Sequence, residues 1–471
     1  RENLIQALRE KRPVFEGILG YEDSVIPDLQ RAILSKHNII LLGLRGQAKT
    51  RIARQLVHLL DSHIPVVAGA ELHDDPFHPI SRFARDLIAE KGDQTPIEWV
   101  IRDERFTEKL ATPDVTTADL IGDVDPIKAA TLKLPYSDER VIHYGLVPHA
   151  HRGLFIINEL PDLQPRIQVA LFNILQEGDI QIRGFKLRLP LDIQFIFTAN
   201  PEDYTNRGSI VTPLKDRIES QILTHHPKTI DISKAITQQE ARLAEWHKTN
   251  TKMIEPAKDM VEMIAAEARK SEYVDQKSGV SARLTISAYE LLASTIERRA
   301  LINGEEQATV RLTDLWSIIP AITGKVELVY EGEQEGPQFV AHKLIGEAIK
   351  AQFLAYFPDP DALKKREEEE EINPYQNILD HFGAGHTVDL LNDLSQQEYE
   401  DALNGVTGLK AFVEANVDDV KPEEVPYFME LLLYGLAELG QINKAELERG
   451  TQFNDFLSGM LSDHFPPFDE D

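Results

Sequence analysis

The sequence predicts an α/β domain built on a parallel sheet flanked by helices, followed by a mainly helical second half. Three observations carry that expectation. Three apolar runs, NIILL (38–42), GLFIIN (153–158) and IQFIFTA (193–199), have the length of buried strands and alternate with helical patterns. Polar groups, at Lys49, Glu159 and Asn200, fall at the carboxyl ends of these runs, where open parallel sheets bind ligands. From about Ile230 the apolar spacing becomes that of helices.

In chain order, residues 4–36 read as helical. Apolar residues recur at Leu4, Ile5 and Leu8 and again at Val25, Ile26, Leu29 and Ile33, on either side of a GILGYED turn. NIILLGLRGQAKTRIARQLVHLL (38–60) is then strand, glycine-bearing loop and amphipathic helix. HRGLFIINELPD (151–162) gives a second strand, with a helix through RIQVALFNILQEG. DIQIRGFKLRLP (179–190) alternates with period two about Gly184 and predicts a hairpin. LDIQFIFTANPED is the third buried strand.

Beyond Ile230, SARLTISAYELLASTIERRALI is the clearest helix, and KVELVYEGE is expected to add a short strand pair. KKREEEEE (364–371), between PDPD and NP, reads as a linker or solvated helix end. PEEVPYFMELLLYGLAELG belongs to a small acidic helical unit, where its apolar surface is expected to pack. The expected divisions are 1–228 for the α/β domain, 229–357 for a helical lid, 358–373 for a linker and 374–471 for the acidic helical domain.

A chain of 471 residues is too long for one core, so two or three domains are expected. It contains no cysteine, which excludes disulfides and thiolate metal sites. No apolar run has bilayer length, and no signal-peptide pattern opens the chain at Arg1, so a cytoplasmic location is expected. The net charge of −28 is concentrated late: residues 351–471 hold 27 acidic against 7 basic residues. So acidic a surface repels phosphate backbones and makes nucleic acid an unlikely partner on electrostatic grounds.

GLRGQAKT (43–50) nearly matches the phosphate-loop pattern of glycine, four residues, glycine, lysine and serine or threonine. Backbone N–H groups of such a loop face the phosphates, and a lysine neutralises them. Gly43, Gly46, Gln47, Ala48, Lys49 and Thr50 are the candidates, with ATP and Mg²⁺ as ligands and Thr50 on the metal. Ala48 stands where the pattern has its second glycine, and at positive φ its methyl costs about 1 kcal/mol. Asn158 is the second candidate on the metal side; it offers an amide oxygen but no charge. Glu159 keeps the carboxylate that polarises an attacking water. Asn200, after the third strand, is expected to orient that water, and Arg217 and Arg283 could stabilise developing charge.

These stretches together resemble the AAA+ ATPases of the MoxR and magnesium-chelatase ATPase-subunit (subunit I-like) group. The resemblance runs over roughly residues 15–330, through GYED, GLRGQAKT, TADLIGDVDPIKA, HYGLVPHAHRGLFIINELPDL, FTANPEDY, TPLKDRI and SARLTISAYE. It implies a P-loop NTPase AAA+ core with a helical lid, working as a ring, usually a hexamer, with ATP between subunits. It makes Arg217 the arginine finger and Arg283 the lid sensor. TADLIGDVDPIKA resembles the helix-2 insert and DIQIRGFKLRLP the pre-sensor hairpin. It also implies a von Willebrand factor A-domain partner. The GAFTGA loop of sigma-54 activators does not occur.

Three functional readings follow: an ATP-driven remodelling subunit, a nucleotide-gated scaffold that hydrolyses poorly, and the ATPase subunit of a true metal chelatase. ELHDDPFHP adds a possible ligand cluster of His73, Asp74, Asp75 and His78, although nothing in its spacing enforces a geometry. His149 and His151 lie at the entry of the second strand.

Overall fold

The computed structural model describes residues 1–136, 138–182, 188–201, 209–364 and 373–455. They form two compact units, Arg1–His226 and Pro227–Asp471.

The first unit is organised by five parallel strands: β1 (Ile39–Leu42), β4 (Phe106–Leu110), β7 (Gly153–Asn158), β10 (Ile193–Ala199) and β11 (Ser220–Leu223). Their spatial order is β11-β1-β10-β7-β4. The three runs read from sequence are the central strands. The two edge strands, FTEKL and SQIL, are only partly buried and carry the polar residues that such a position permits.

Alternation along the strands divides their side chains between two cores. Ile40, Phe155, Ile157, Phe195 and Phe197 enter one, while Ile39, Leu41, Leu154, Ile156 and Ile196 enter the other. Helices α1 (Glu2–Arg9) and α2 (Val25–Leu34) flank the long turn read from sequence; the buried Val25 and Leu29 of α2 join the second core. α3 (Lys49–Gln55) follows β1, continued by a 3-10 turn, Leu56–Leu59.

An antiparallel ribbon, β2 (His63–Val67) with β3 (Ile97–Ile101), brackets α4 (Arg82–Lys91). The TADLIGDVDPIKA stretch folds as α5 (Thr117–Leu120), β5 (Gly122–Val124) and α6 (Pro126–Leu132). Thr116 and Asp119 form a capping box that starts α5, and Asp125 caps α6. β5 pairs with β6 (Ile142–Tyr144) ahead of α7 (Leu146–His149). After β7, α8 (Pro165–Ala170) and α9 (Phe172–Glu177) precede the hairpin strands β8 (Asp179–Gln181) and β9 (Arg188–Pro190), which pair antiparallel. The apex of that predicted hairpin, 183–187, lies outside the described residues, as do 202–208 after β10.

The second unit is mainly helical, around Glu255–Ala268, Arg283–Asn303, Pro337–Tyr356 and Val425–Glu438. Residues from Ile254 to Phe453 contribute to one hydrophobic cluster, so the segments before and after 358–373 share a core. Val425–Glu438 is buried nearly all round, which explains its apolar sequence. One expectation fails here. KVELVYEGE makes no strand pair; Leu328 forms an isolated bridge with Val274, and Tyr330–Glu335 is helical. The acidic region is mainly helical, as expected, and adds a three-stranded antiparallel sheet of Val388–Leu391, Gly450–Asn454 and Asn443–Leu447. The polar NKAEL and GTQFN strands lack the apolar run that would have announced them. Helix Pro360–Lys364 covers part of the predicted linker, and 365–372 lie outside the described residues. Among the described residues no helix is long and apolar enough to cross a membrane.

Candidate functional site

Three chain reversals at the carboxyl ends of neighbouring strands bring the site together. Register aligns Leu42 of β1 with Ala199 of β10, and Phe197 of β10 with Ile157 of β7. The residues that follow, Gly43, Asn200 and Glu159, therefore emerge side by side.

The loop after β1 is tightly built. A Cβ at Gly43 would lie 1.9 Å from Thr224 Oγ1 and 2.3 Å from Gln47 Oε1, so only glycine fits there without displacement. Gly46 turns the chain at φ 74° and Ala48 at φ 57°. Ala48 thus stands in the left-handed region that its place in the motif demands, with a methyl that the region disfavours. It is also the N-cap of α3 and provides no side-chain cap. Gln47 Oε1 accepts from Thr224 Oγ1 at 2.7 Å, and Tyr21 donates to the Gln47 carbonyl. Both contacts hold the Gln47 side chain and carbonyl in place.

Lys49 is buried at the mouth of this loop, 7% exposed. Its ammonium donates to the carbonyls of Gly43 and Leu44 and, at 2.6 Å, to Asn200 Oδ1. The Asn200 amide Nδ2 in turn donates to Glu159 Oε2 at 2.9 Å. Glu159 itself sits at φ 55°, a left-handed conformation for a non-glycine residue, with its N–H held by Thr198 Oγ1. Strain of this kind collects where a side chain must be aimed.

Asn158, the last residue of β7, is buried and lies among three neighbours. Its Oδ1 accepts from Thr198 Oγ1 at 3.1 Å and from Thr50 Oγ1 at 3.4 Å, while its Nδ2 donates to Glu108 Oε1 at 2.5 Å. Glu108 of β4 is gripped from above by Arg54 of α3, through Nε at 2.8 Å and Nη2 at 2.9 Å. This bidentate pairing holds the Arg54 guanidinium above its usual basicity. Glu108, Arg54, Thr198 and Thr224 escaped the sequence reading. Glu108 and Thr224 belong to or follow the edge strands that the apolar pattern did not reveal.

The donor set fits a triphosphate: a turned loop leading into a helix, and one ammonium. The hydroxyl of Thr50 beside the amide oxygen of Asn158 gives the hard oxygen donors that suit Mg²⁺.

The two candidate arginines have contacts within their own units. Arg217 donates to Gln176 Oε1 at 3.0 Å and to the Pro213 carbonyl, and lies over the Phe172 ring. Arg283 opens its helix in the second unit, where its backbone N–H donates to Ser281 Oγ. The weaker ligand cluster has other work. The Asp74 carboxylate accepts from the N–H groups of Ile80 and Ser81, Asp75 pairs with Arg152, and His73 bonds to the His151 carbonyl. Among the described residues no group of three or more such side chains is arranged for a metal. His149 Nδ1 bonds to the Gly145 carbonyl, and His151 Nδ1 accepts from the Asp192 N–H. Burial pushes the His151 imidazole down to about 4.

Residues 135–222 match the Sigma-54 interaction domain family. Among solved structures, the chain is similar to the complex of subunits BchI and BchD of magnesium chelatase, at 19% identity and a TM-score of 0.34, covering 68% of this chain and 98% of that one. It is similar to a mutant form of RuvB from Thermotoga maritima at 11% identity and TM-score 0.38, covering 83% and 98%. It is similar to NtrX of Brucella abortus in complex with ATP at 13% identity and TM-score 0.35, covering 62% and 52%. Likenesses this distant add no argument of their own. The strand order, the loop between β1 and α3, and the polar residues at the ends of β7 and β10 give the first unit the AAA+ P-loop NTPase fold.

Proposed function

We propose that the protein is an ATPase that binds ATP with Mg²⁺ on the loop 43–50 and uses its hydrolysis to change the conformation of a partner protein. The observation that carries this reading is the Asn200 bridge: one amide joins the phosphate-binding ammonium of Lys49 to the candidate base Glu159.

Gly46, Gln47 and Ala48 present backbone N–H groups to the phosphates, while the Gly43 N–H stays on the Ala199 carbonyl, and Lys49 neutralises the charge that develops between them. Thr50 and Asn158 would hold the cation, whose chemistry is to draw electron density from the phosphate oxygens. Glu159 accepts the proton of the attacking water, and Asn200 fixes the carboxylate and shares the Lys49 ammonium. Arg217, from a neighbouring subunit, and Arg283, from the helical second unit, are proposed to stabilise the charge on the transferred group. Arg217 would first have to leave Gln176 and Pro213. That arrangement presumes a ring, with a hexamer as the expected size. A MoxR-like remodelling role with a von Willebrand factor A-domain partner in the cytoplasm rests on the sequence resemblance.

A scaffold that binds ATP and cuts it slowly is the second reading. It is favoured by Asn158, which brings no charge to the metal, and by Ala48 at positive φ. One experiment separates the two: phosphate release and ATP affinity for the wild-type chain, Lys49→Ala and Glu159→Gln. Hydrolysis predicts that Glu159→Gln binds ATP but loses turnover about a hundredfold or more, and that Lys49→Ala loses binding. Wild-type turnover no greater than that of Glu159→Gln, with binding intact, selects the scaffold.

A further inference from the structure

Four side chains close a rectangle at the metal edge of the site. Thr50 and Arg54 lie one turn apart on α3, so both face the sheet on the same side. Below them, Asn158 and Glu108 lie on the neighbouring strands β7 and β4; Glu108 pairs in register with Ile156, two residues before Asn158, so both project from one face. Thr50 meets Asn158, Arg54 meets Glu108, and Asn158 meets Glu108.

The chemistry of these groups fixes which way the Asn158 amide points. Thr50 and Thr198 carry hydroxyls, which accept as readily as they donate, so they do not distinguish the amide oxygen from its nitrogen. The Glu108 carboxylate only accepts. At 2.5 Å it must face the Asn158 NH₂, which turns Oδ1 toward Thr50. The same contact explains the unusual residue: an aspartate at 158 would set two carboxylates against each other. The anionic charge of this edge is displaced by one strand, from the end of β7 to β4.

We propose that Glu108 is a positioning residue for the metal edge, holding Asn158 Oδ1 toward Thr50 so that the two oxygens can serve Mg²⁺. The inference rests on the reading of 43–50 as an ATP site and extends it to a residue outside every motif. Second-layer partners of this kind typically change metal affinity about tenfold or more when removed.

The test is a titration of the 471-residue chain with the non-hydrolysable analogue AMP-PNP, in Mg²⁺ and in EDTA, for wild type, Glu108→Ala, Glu108→Gln, Asn158→Asp and the Glu108→Gln/Asn158→Asp pair. The quantity read is the ratio of affinities with and without Mg²⁺. Glu108→Ala should lower that ratio about tenfold while leaving the EDTA affinity unchanged. Glu108→Gln, whose carbonyl still accepts from Asn158, should retain most of it. The pair should exceed Asn158→Asp, because the double change restores a donor facing an acceptor. A ratio unchanged in Glu108→Ala overturns the proposal, even if that variant melts earlier, since a purely structural role predicts that result. A pair no better than Asn158→Asp also overturns it. Wild-type chain that binds no nucleotide would sink the ATP reading itself, and this inference with it.

Discussion

The Asn200 amide Nδ2 lies 2.9 Å from Glu159 Oε2, which ties the end of β10 to the end of β7. Replacing Asn200 by Asp keeps the shape but puts a second carboxylate there. Like charges this close force one of them to hold a proton, and the base is lost near neutrality. Turnover of Asn200→Asp should fall about a hundredfold at pH 7 and recover part of that loss as pH rises. A flat pH profile at wild-type rate would detach Asn200 from Glu159 function.

Ala48 occupies φ 57°. A non-glycine residue there costs about 1 kcal/mol, but glycine has about 0.4–1 kcal/mol more chain entropy to lose on folding. The two effects nearly cancel, so Ala48→Gly should leave the urea midpoint almost unchanged. Its effect should fall on ATP affinity, which rises as the methyl leaves the phosphate-facing backbone. Weaker binding by Ala48→Gly would contradict that account.

Gly43 has no room for a side chain, with Thr224 Oγ1 at 1.9 Å from the position of a Cβ. Gly43→Ala should cost about 1–3 kcal/mol. Adding Thr224→Ala should recover part of it and not all, because Gln47 Oε1 stands at 2.3 Å from the same point. Thermal melts of the single and double variants read this coupling directly.

His151 is 5% exposed and accepts from the Asp192 N–H, so it folds as the neutral ring with its basicity lowered to about 4. As pH falls below the unfolded value of about 6.5, the unfolded chain takes up a proton that the folded chain refuses. Stability is therefore full above that pH and declines on acidification toward 4, by about 1.4 kcal/mol per pH unit within the window. His73, lowered by burial in the same way, adds to the trend. His151→Gln retains an acceptor without a titration. Urea denaturation at pH 7 and pH 5 should show a smaller loss for the variant, by about 2 kcal/mol; an equal loss would place the acid sensitivity elsewhere.

The parts of the fold legible in the sequence are those whose burial is symmetric. β1, β7 and β10 are covered on both faces, so they are written as unbroken apolar runs. β4 and β11 have one open edge each and spell FTEKL and SQIL, which resemble loops. The polar residues that follow the central strands stood out against their apolar runs, whereas Thr198, inside β10, and the residues tied to the edge strands did not. Lys49, Asn158, Glu159 and Asn200 were readable; Glu108 and Thr224 were not. KVELVYEGE misled for the reverse reason, since β-branched alternation was overruled by the packing of Leu328 and Val326 against the helical core.

The common core of the second unit also sets a timetable for synthesis. The helix Glu255–Ala268 is made early, yet its apolar face packs in a cluster that includes Phe428, Leu432 and Phe453. At roughly 5–20 residues per second, the ribosome needs on the order of ten seconds or more to deliver that covering. Through this interval the nascent chain carries an uncovered apolar surface, and its yield in the cell depends on whatever shields it.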